Sequence, residues 1–154
     1  MAALAADRQF ERQPSELVPY SGASGFTYYK GALLTRTGAA TSTEVVPLTS
    51  AGSSNGYFLG VVGNRVDLSA GLGSSNELLD VWKTGEFTFA ANGTGASSHI
   101  GLKAYGIDDG TVGISAVVPS LAVGEIVGIP TTSTYRVRID EAVGGRGVSI
   151  HPNF

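Results

Sequence analysis

Short apolar runs alternate along most of the chain with segments rich in Gly, Ser, Thr and Asn. The apolar positions recur with a period of two, most cleanly in TYRVRID (134–140), where Tyr135, Val137 and Ile139 fall on one face. This alternation is typical of strands that bury one face. The region after residue 25 has no apolar pattern of helical period that is long enough for an extended helix. The pattern therefore predicts an all-β domain of about eight or nine strands, built as a small barrel or sandwich.

Turn-forming residues divide this region into candidate strands. Asp108-Asp109-Gly110 lies between two apolar runs, so the segment 100–118 is predicted to be a hairpin. The turn 130–133 joins two further strands, and Gly63-Asn64 marks a tight turn within 57–68. Pro47 favours an edge position for the strand 43–48, because proline has no N–H to donate to a neighbouring strand. The segment 26–36 is predicted to be one strand with a bulge at Gly31.

The segment LLDVWKTGEFTF (78–89) has the densest pattern and the only tryptophan. Its apolar face is interrupted by Lys83 and Gly85, which predicts a bend near Thr84-Gly85, where the strand changes its partner. Trp82 and Glu86 lie on the opposite, mixed face. We take these two residues as candidates for an interface between subunits.

The two ends of the chain differ from the middle. Residues 1–25 contain Pro14 and Pro19 and end in Gly and Ser, which predicts an extended arm; an ordinary frayed terminus is the alternative. Bulky apolar residues in this arm favour docking on another surface, and its candidate contacts are Phe10, Pro14, Leu17, Val18 and Tyr20. The Gly-rich tail 141–154 either crosses to a neighbouring subunit or is loose. The predicted organisation is an arm (1–25), a β-barrel body (26–140) and a tail (141–154).

Composition narrows the range of partners. At 154 residues, the chain is long enough for one domain with a real core. Only 15% of the residues are charged, so the surface must be made largely of Ser, Thr, Gly, Asn and Ala. The formal net charge is −3 and basic residues are scattered singly, which argues against a nucleic-acid partner.

The start of the sequence, MAALAADRQF, has too few apolar residues for an export signal, because Asp7 interrupts it early. No run approaches the roughly 18 apolar residues of a membrane-spanning helix. We therefore expect a soluble protein, made in the cytoplasm, with no membrane partner. The absence of cysteine excludes disulfides, thiolate metal sites and a cysteine nucleophile.

Few residues suggest catalysis. A small hydrolase would have to use His99 with Asp108 or Asp109, but the aspartates fit a turn better, and Ser98 and His99 are adjacent and so would point apart on a strand. The second histidine, His151, lies in the tail. We expect no enzymatic activity, metal or cofactor. A carbohydrate-binding module or adhesin is the stronger alternative, and its stacking platform would consist of Tyr28, Tyr29, Tyr57 and Trp82.

Two segments, YFLGVV (57–62) and VWKTGEFTF (81–89), resemble the head decoration proteins of lambda-type phages. The segments GLKAYGIDDGTVGISAV and VGEIVGIPTTSTYRVRID are similar to the larger group of phage capsid cement proteins. Their shared features here are Ala104-Tyr105, the turn 108–110, Val127-Gly128 and Val137-Arg138. The resemblance covers roughly residues 26–140, and the order of the segments is its main support.

This resemblance implies a barrel-like "β-tulip" body on the outside of an icosahedral head. It implies homotrimers, binding to the expanded shell of the major capsid protein, and stabilisation against internal DNA pressure. It also implies that the arm adds a strand to the capsid protein. The chain departs from the lambda type in its greater length and its Gly-rich tail.

Overall fold

The computed structural model describes residues 4–7, 17–36, 45–48, 57–70, 78–115 and 121–139. Within these ranges the regular secondary structure is β-strand, apart from one short 3-10 helix at Ser97–His99. The strands are β1 (Leu17–Tyr20), β2 (Thr27–Tyr28), β3 (Leu33–Arg36), β4 (Val45–Pro47), β5 (Tyr57–Val62), β6 (Val66–Asp67), β7 (Leu79–Trp82), β8 (Gly85–Ala91), β9 (Lys103–Gly106), β10 (Thr111–Gly113), β11 (Leu121–Thr131) and β12 (Thr134–Ile139).

Five strands close into a barrel in the order β10-β8-β12-β11-β9. The pairing of β9 with β10 closes it, and these strands form the predicted hairpin around Asp108-Asp109-Gly110. The second predicted hairpin, β11–β12, turns at Thr132 and Ser133. The all-β class and the small barrel that the sequence predicted are confirmed.

A second sheet has the order β1-β7-β5-β3-β4, so β1 and β4 are its edges. The edge position predicted from Pro47 is confirmed. Residues 21–23 run along the outer side of β4, where the Ala23 N–H donates to the Val45 carbonyl at 2.9 Å. Strands β2 and β6 form a separate two-stranded ribbon.

Two apolar clusters lie on either side of this sheet. Neighbouring residues on its strands face opposite ways, so that Leu33 joins one cluster and Leu34 the other. The barrel core consists of Leu33, Leu48, Phe58, Val61, Phe87, Phe89, Ala91, Ala104, Val112, Leu121, Val123, Ile126, Tyr135, Val137 and Ile139. The sheet core consists of Tyr28, Ala32, Leu34, Val45, Leu59, Val62, Val66, Leu68, Leu79 and Val81.

The predicted bend near Thr84-Gly85 is confirmed, and it carries the chain from one core to the other. β7 ends at Trp82 and β8 begins at Gly85, whose φ of +135° is a conformation that residues with a side chain rarely adopt. Because β7 belongs to the sheet and β8 to the barrel, Val81 packs in the sheet core and Phe87 in the barrel core.

The segment 26–36 differs from the prediction of a single bulged strand. It forms β2 and β3, separated by a turn at Lys30 and Gly31. Gly31 has a φ of +90° and donates its N–H to the Val62 carbonyl at 2.8 Å. The turn is favoured because it allows Tyr28 to pair with Val66 in the ribbon, while β3 pairs with β5.

The boundary between the predicted arm and the body also lies earlier in the chain. Residues 17–20 of that arm are β1, which pairs antiparallel with β7 from Leu17 opposite Trp82 to Tyr20 opposite Leu79. Local sequence could not indicate this, because the partner strand is about sixty residues away. The predicted contacts Phe10 and Pro14, and the tail 141–154, lie outside the described residues.

Candidate interaction surface

The β1 strand forms an exposed edge of the second sheet. Among the strands that the structure describes, β1 pairs only with β7. In an antiparallel ladder, alternate residues direct their N–H and C=O groups away from the partner strand. The outer side of β1 therefore presents main-chain groups that an additional strand can use, although Pro19 has no N–H to contribute.

The side chains of β1 alternate between solvent and protein. Leu17 and Pro19 are exposed, and Leu17 retains 44% of its accessible surface. Val18 and Tyr20 are half-buried, and Tyr20 packs against the sheet core. The Lys83 ammonium donates to the Tyr20 hydroxyl at 3.3 Å and lies 5.4 Å from the ring centroid. Of the three predicted arm contacts on this strand, Leu17 is thus the most available to a partner.

The predicted interface residues Trp82 and Glu86 are both half-buried. Trp82 packs against the barrel core, and its indole fills the space beside Gly63, where an added Cβ would lie 2.7 Å from the indole nitrogen. Glu86 accepts a hydrogen bond from the Arg138 guanidinium at 3.1 Å across the β8–β12 ladder. Both residues therefore have contacts within the chain, and their role between subunits stays a prediction.

The Asp108-Asp109-Gly110 turn forms a second contact site, which the sequence did not indicate. Asp108 closes the turn by accepting the Gly110 N–H at 2.9 Å, as expected of a turn residue. Asp109 is 5% exposed, and its carboxylate accepts the N–H of Leu4 at 2.8 Å. The N-terminal segment therefore lies against the body at this turn. In sequence, a buried carboxylate beside a glycine looks the same as an ordinary exposed turn, so the local sequence contains no signal of this contact.

His99 is held by a tyrosine. Its Nδ1 lies 2.8 Å from the Tyr135 hydroxyl and 3.3 Å from the Ala96 N–H. A main-chain N–H can only donate, so in the contact with Ala96 the acceptor is Nδ1. Burial raises the pKa of the Tyr135 hydroxyl. These contacts give His99 a structural role in the turn. The carboxylates of Asp108 and Asp109 accept hydrogen bonds from the main chain of Gly110 and Leu4.

The four aromatic residues of the carbohydrate hypothesis occupy different environments. Tyr28 is fully buried in the sheet core, and its hydroxyl lies 3.0 Å from the Ala23 carbonyl oxygen and 2.8 Å from that of Val45. Tyr29 and Tyr57 each lie under an arginine, with 5.3 Å between the guanidinium carbon and the ring centroid. Since a stacking platform needs an exposed ring, Tyr28 cannot belong to one.

Within the described ranges, no cluster of three or more His, Cys, Asp or Glu side chains has a geometry that could hold a metal ion. Nor do those ranges contain a helix of the length and apolar character needed to cross a membrane. Comparisons with protein-family models, with curated proteins and with solved structures found no match to this chain.

Proposed function

We propose that this chain is a structural protein of a phage particle, which binds the outside of the expanded icosahedral shell and stabilises it against internal DNA pressure. It would be made in the host cytoplasm and would act on the shell as a homotrimer. Its partners would be the major capsid protein and copies of itself. The proposal begins from the order of sequence segments that resembles capsid cement proteins, and the small all-β barrel is compatible with it.

The β1 edge is the observation that carries the proposal. An edge strand with open main-chain groups is a template for a further strand from another protein. Natural proteins usually protect such edges with charged side chains or proline. β1 has no charged side chain, and its Pro19 removes one N–H, so a docking strand would use the remaining main-chain groups beside the exposed Leu17. Leu17 thus provides an apolar anchor beside main-chain groups that are open to pairing. This combination fits a surface that docks on a protein shell.

Stabilisation of the shell would follow from mass action. A protein that binds only the expanded shell lowers the free energy of that state at every occupied site. One site contributes about 2.7 kcal/mol when the free concentration is one hundred times the dissociation constant. Because an icosahedral shell repeats each site many times, modest affinities sum to a large effect.

The first experiment is quantitative mass spectrometry of density-purified particles from a lysate that contains this protein. We expect copy numbers comparable to those of the major shell protein. A handful of copies, or none, would refute the structural role and favour the carbohydrate-binding alternative.

The second experiment tests the edge directly, by co-sedimentation of purified protein with expanded shells. Leu17→Lys should weaken binding at least about tenfold, because an edge lysine disfavours strand pairing. Leu102→Lys is the matched control, since Leu102 is similarly exposed at 42% and precedes a barrel strand. Equal binding by the two variants would show that β1 is not the docking edge.

The predicted subunit contact has its own test. Glu86→Lys places like charges beside Arg138, but both side chains are partly solvated, so the isolated protein should remain folded. If Glu86 lies between subunits, the variant should occupy shells less cooperatively than the wild type. An unchanged binding isotherm would exclude Glu86 from that interface.

A further inference from the structure

We propose that residues 4–7 form a releasable latch, which holds the N-terminal segment on the body until that segment binds elsewhere. The N-terminal latch contacts both halves of the molecule. Leu4 lies on the barrel hairpin at Asp109 and Gly110, and Asp7 reaches the turn before β3 at Lys30.

Main-chain hydrogen bonds tie the turn that receives the latch to both halves of the molecule. The Asp109 carbonyl accepts the Leu33 N–H at 2.8 Å, which ties the hairpin turn to the second sheet. The Gly110 carbonyl accepts the Ala90 N–H at 3.1 Å, which ties the same turn to β8. The turn therefore keeps its shape through contacts that do not involve the latch.

Gly110 makes room for Leu4. A Cβ added at Gly110 would lie 2.9 Å from Leu4 Cγ, and its three nearest heavy atoms would all belong to the Leu4 side chain. The fit is therefore specific to this pair. Leu4 also packs against the edge of the sheet core, but it is only half-buried.

Few contacts attach the latch to the body. Ala5, Ala6 and Asp7 are exposed, and the bond from the Lys30 N–H to the Asp7 carboxylate is long, at 3.3 Å. The Leu4 side chain and one 2.8 Å hydrogen bond thus provide most of the attachment. A contact of this size opens without dismantling either core, so opening belongs to the low-energy, local class of motions.

The latch gives the proposed function a control step, and this part of the inference rests on that function. While Leu4 is docked, residues 4–7 cannot contact the shell beside the β1 edge. The apparent affinity for any second surface is then reduced by the fraction of molecules in which the latch is open. A shell contact that includes residues 4–7 would in turn favour the open form, because these residues cannot make both contacts at once.

Amide hydrogen exchange on the full-length, isolated protein tests the latch without any shell. Gly110→Ala should accelerate exchange of the Leu4 and Lys30 amides on the order of tenfold, while amides in β8 and β12 stay unchanged. Gly113→Ala is the matched control in the same hairpin, because its added Cβ would make an ordinary contact 3.4 Å from Asn92. It should leave both latch amides as in the wild type.

A double variant shows whether the effect passes through Leu4. Leu4→Ala removes the atoms that clash with Ala at position 110, so adding Gly110→Ala to Leu4→Ala should not accelerate Lys30 exchange further. Equal acceleration in both backgrounds would overturn the latch. The latch would also be overturned if the Leu4 and Lys30 amides of the wild type exchanged only on global unfolding. Wild-type amides at these positions with no protection at all would overturn it as well.

Shell binding then tests the control step separately. If the latch restrains docking, Gly110→Ala should bind expanded shells several-fold faster than wild type and Gly113→Ala. Equal association rates would overturn the control step. If no variant binds shells, the proposed function fails together with the control step, and the latch itself is decided by the exchange data.

Discussion

Gly124 on β11 lies directly against the main chain of Arg138 on β12. A Cβ added at Gly124 would overlap the Arg138 carbonyl oxygen and would lie 2.8 Å from Cγ1 of Val137. The same residue marks a shift in the register between β11 and β9. Close main-chain approach at this point thus depends on the absence of a side chain.

We expect Gly124→Ala to lower the free energy of unfolding by about 3 kcal/mol, because the obstacle is backbone that cannot rotate away. For a domain of this size, that loss lowers the melting temperature by about 6–12 °C. Gly128→Ala on the same strand is the matched control, since its added Cβ would lie 3.5 Å from the Arg136 Cβ. Thermal unfolding followed by circular dichroism compares the two, and equal melting temperatures would contradict the steric argument.

Tyr28→Phe tests the buried hydroxyl of the sheet core. The hydroxyl has one proton, which it donates to either the Ala23 or the Val45 carbonyl, so the substitution removes one buried hydrogen bond and we expect a loss of about 1–2 kcal/mol in the free energy of unfolding. Tyr29→Phe removes a hydroxyl from the neighbouring, half-buried ring and should change stability by less than about 0.5 kcal/mol. Urea denaturation measures both, and a neutral Tyr28→Phe would contradict a stabilising role for this hydroxyl.

The buried Tyr135 hydroxyl should make stability sensitive to alkali. Because burial raises the pKa of Tyr135 above its ordinary value of 10.0, the unfolded chain ionises first as the pH rises. Its contribution to stability is therefore full below pH 10 and is lost as the pH rises through the folded pKa. Tyr135→Phe should lose less of its free energy of unfolding than the wild type as the pH rises from 9 to about 11.5, which urea denaturation at each pH measures.

At pH 7, the same substitution should cost about 0.5–1.5 kcal/mol, through loss of the bond to His99. Tyr57→Phe is the control at that pH, since Tyr57 is 40% exposed. An alkaline loss identical in wild type and Tyr135→Phe would rule out Tyr135 as its source.

Asp67 should make stability sensitive to acid. Hydrogen bonds from the Ser69 hydroxyl and N–H, and then from the Thr27 hydroxyl, hold the pKa of the Asp67 carboxyl below its ordinary value of 3.8. Its contribution is therefore present above the unfolded pKa and is lost as the pH falls through the lower, folded pKa. Asp67→Asn should be less stable than wild type at pH 7 and should approach wild type near pH 2.

Ser69→Ala removes the hydroxyl donor to that carboxyl but keeps the main-chain N–H, so it should weaken the acid dependence in the same direction and by less than Asp67→Asn. Urea midpoints at several pH values would measure both variants. A constant difference between wild type and Asp67→Asn at every pH would mean that the Asp67 charge does not contribute.

The features that the sequence predicted well are local ones. The alternation in 134–140 places Tyr135, Val137 and Ile139 in the barrel core, as expected from the period of a strand. The Asp-Gly turn, the bend before Gly85 and the edge position of Pro47 follow from backbone preferences of single residues. Such preferences act within a few residues and need no knowledge of the rest of the fold.

The candidate surfaces could not be predicted in this way, because they are formed by contacts between distant parts of the chain. Leu17 belongs to the body only because it pairs with Trp82, and Asp109 is buried partly because Leu4 lies against it. The alternation in 78–89 assigned Val81 and Phe87 to one face, yet the bend sends them to different cores. By itself, the sequence determined the strand class and the turns, because hydrophobic period and turn chemistry are local. Only the tertiary structure decided which strands are edges, which carboxylates are buried and where the N-terminal segment lies, because these depend on packing between residues far apart in the chain.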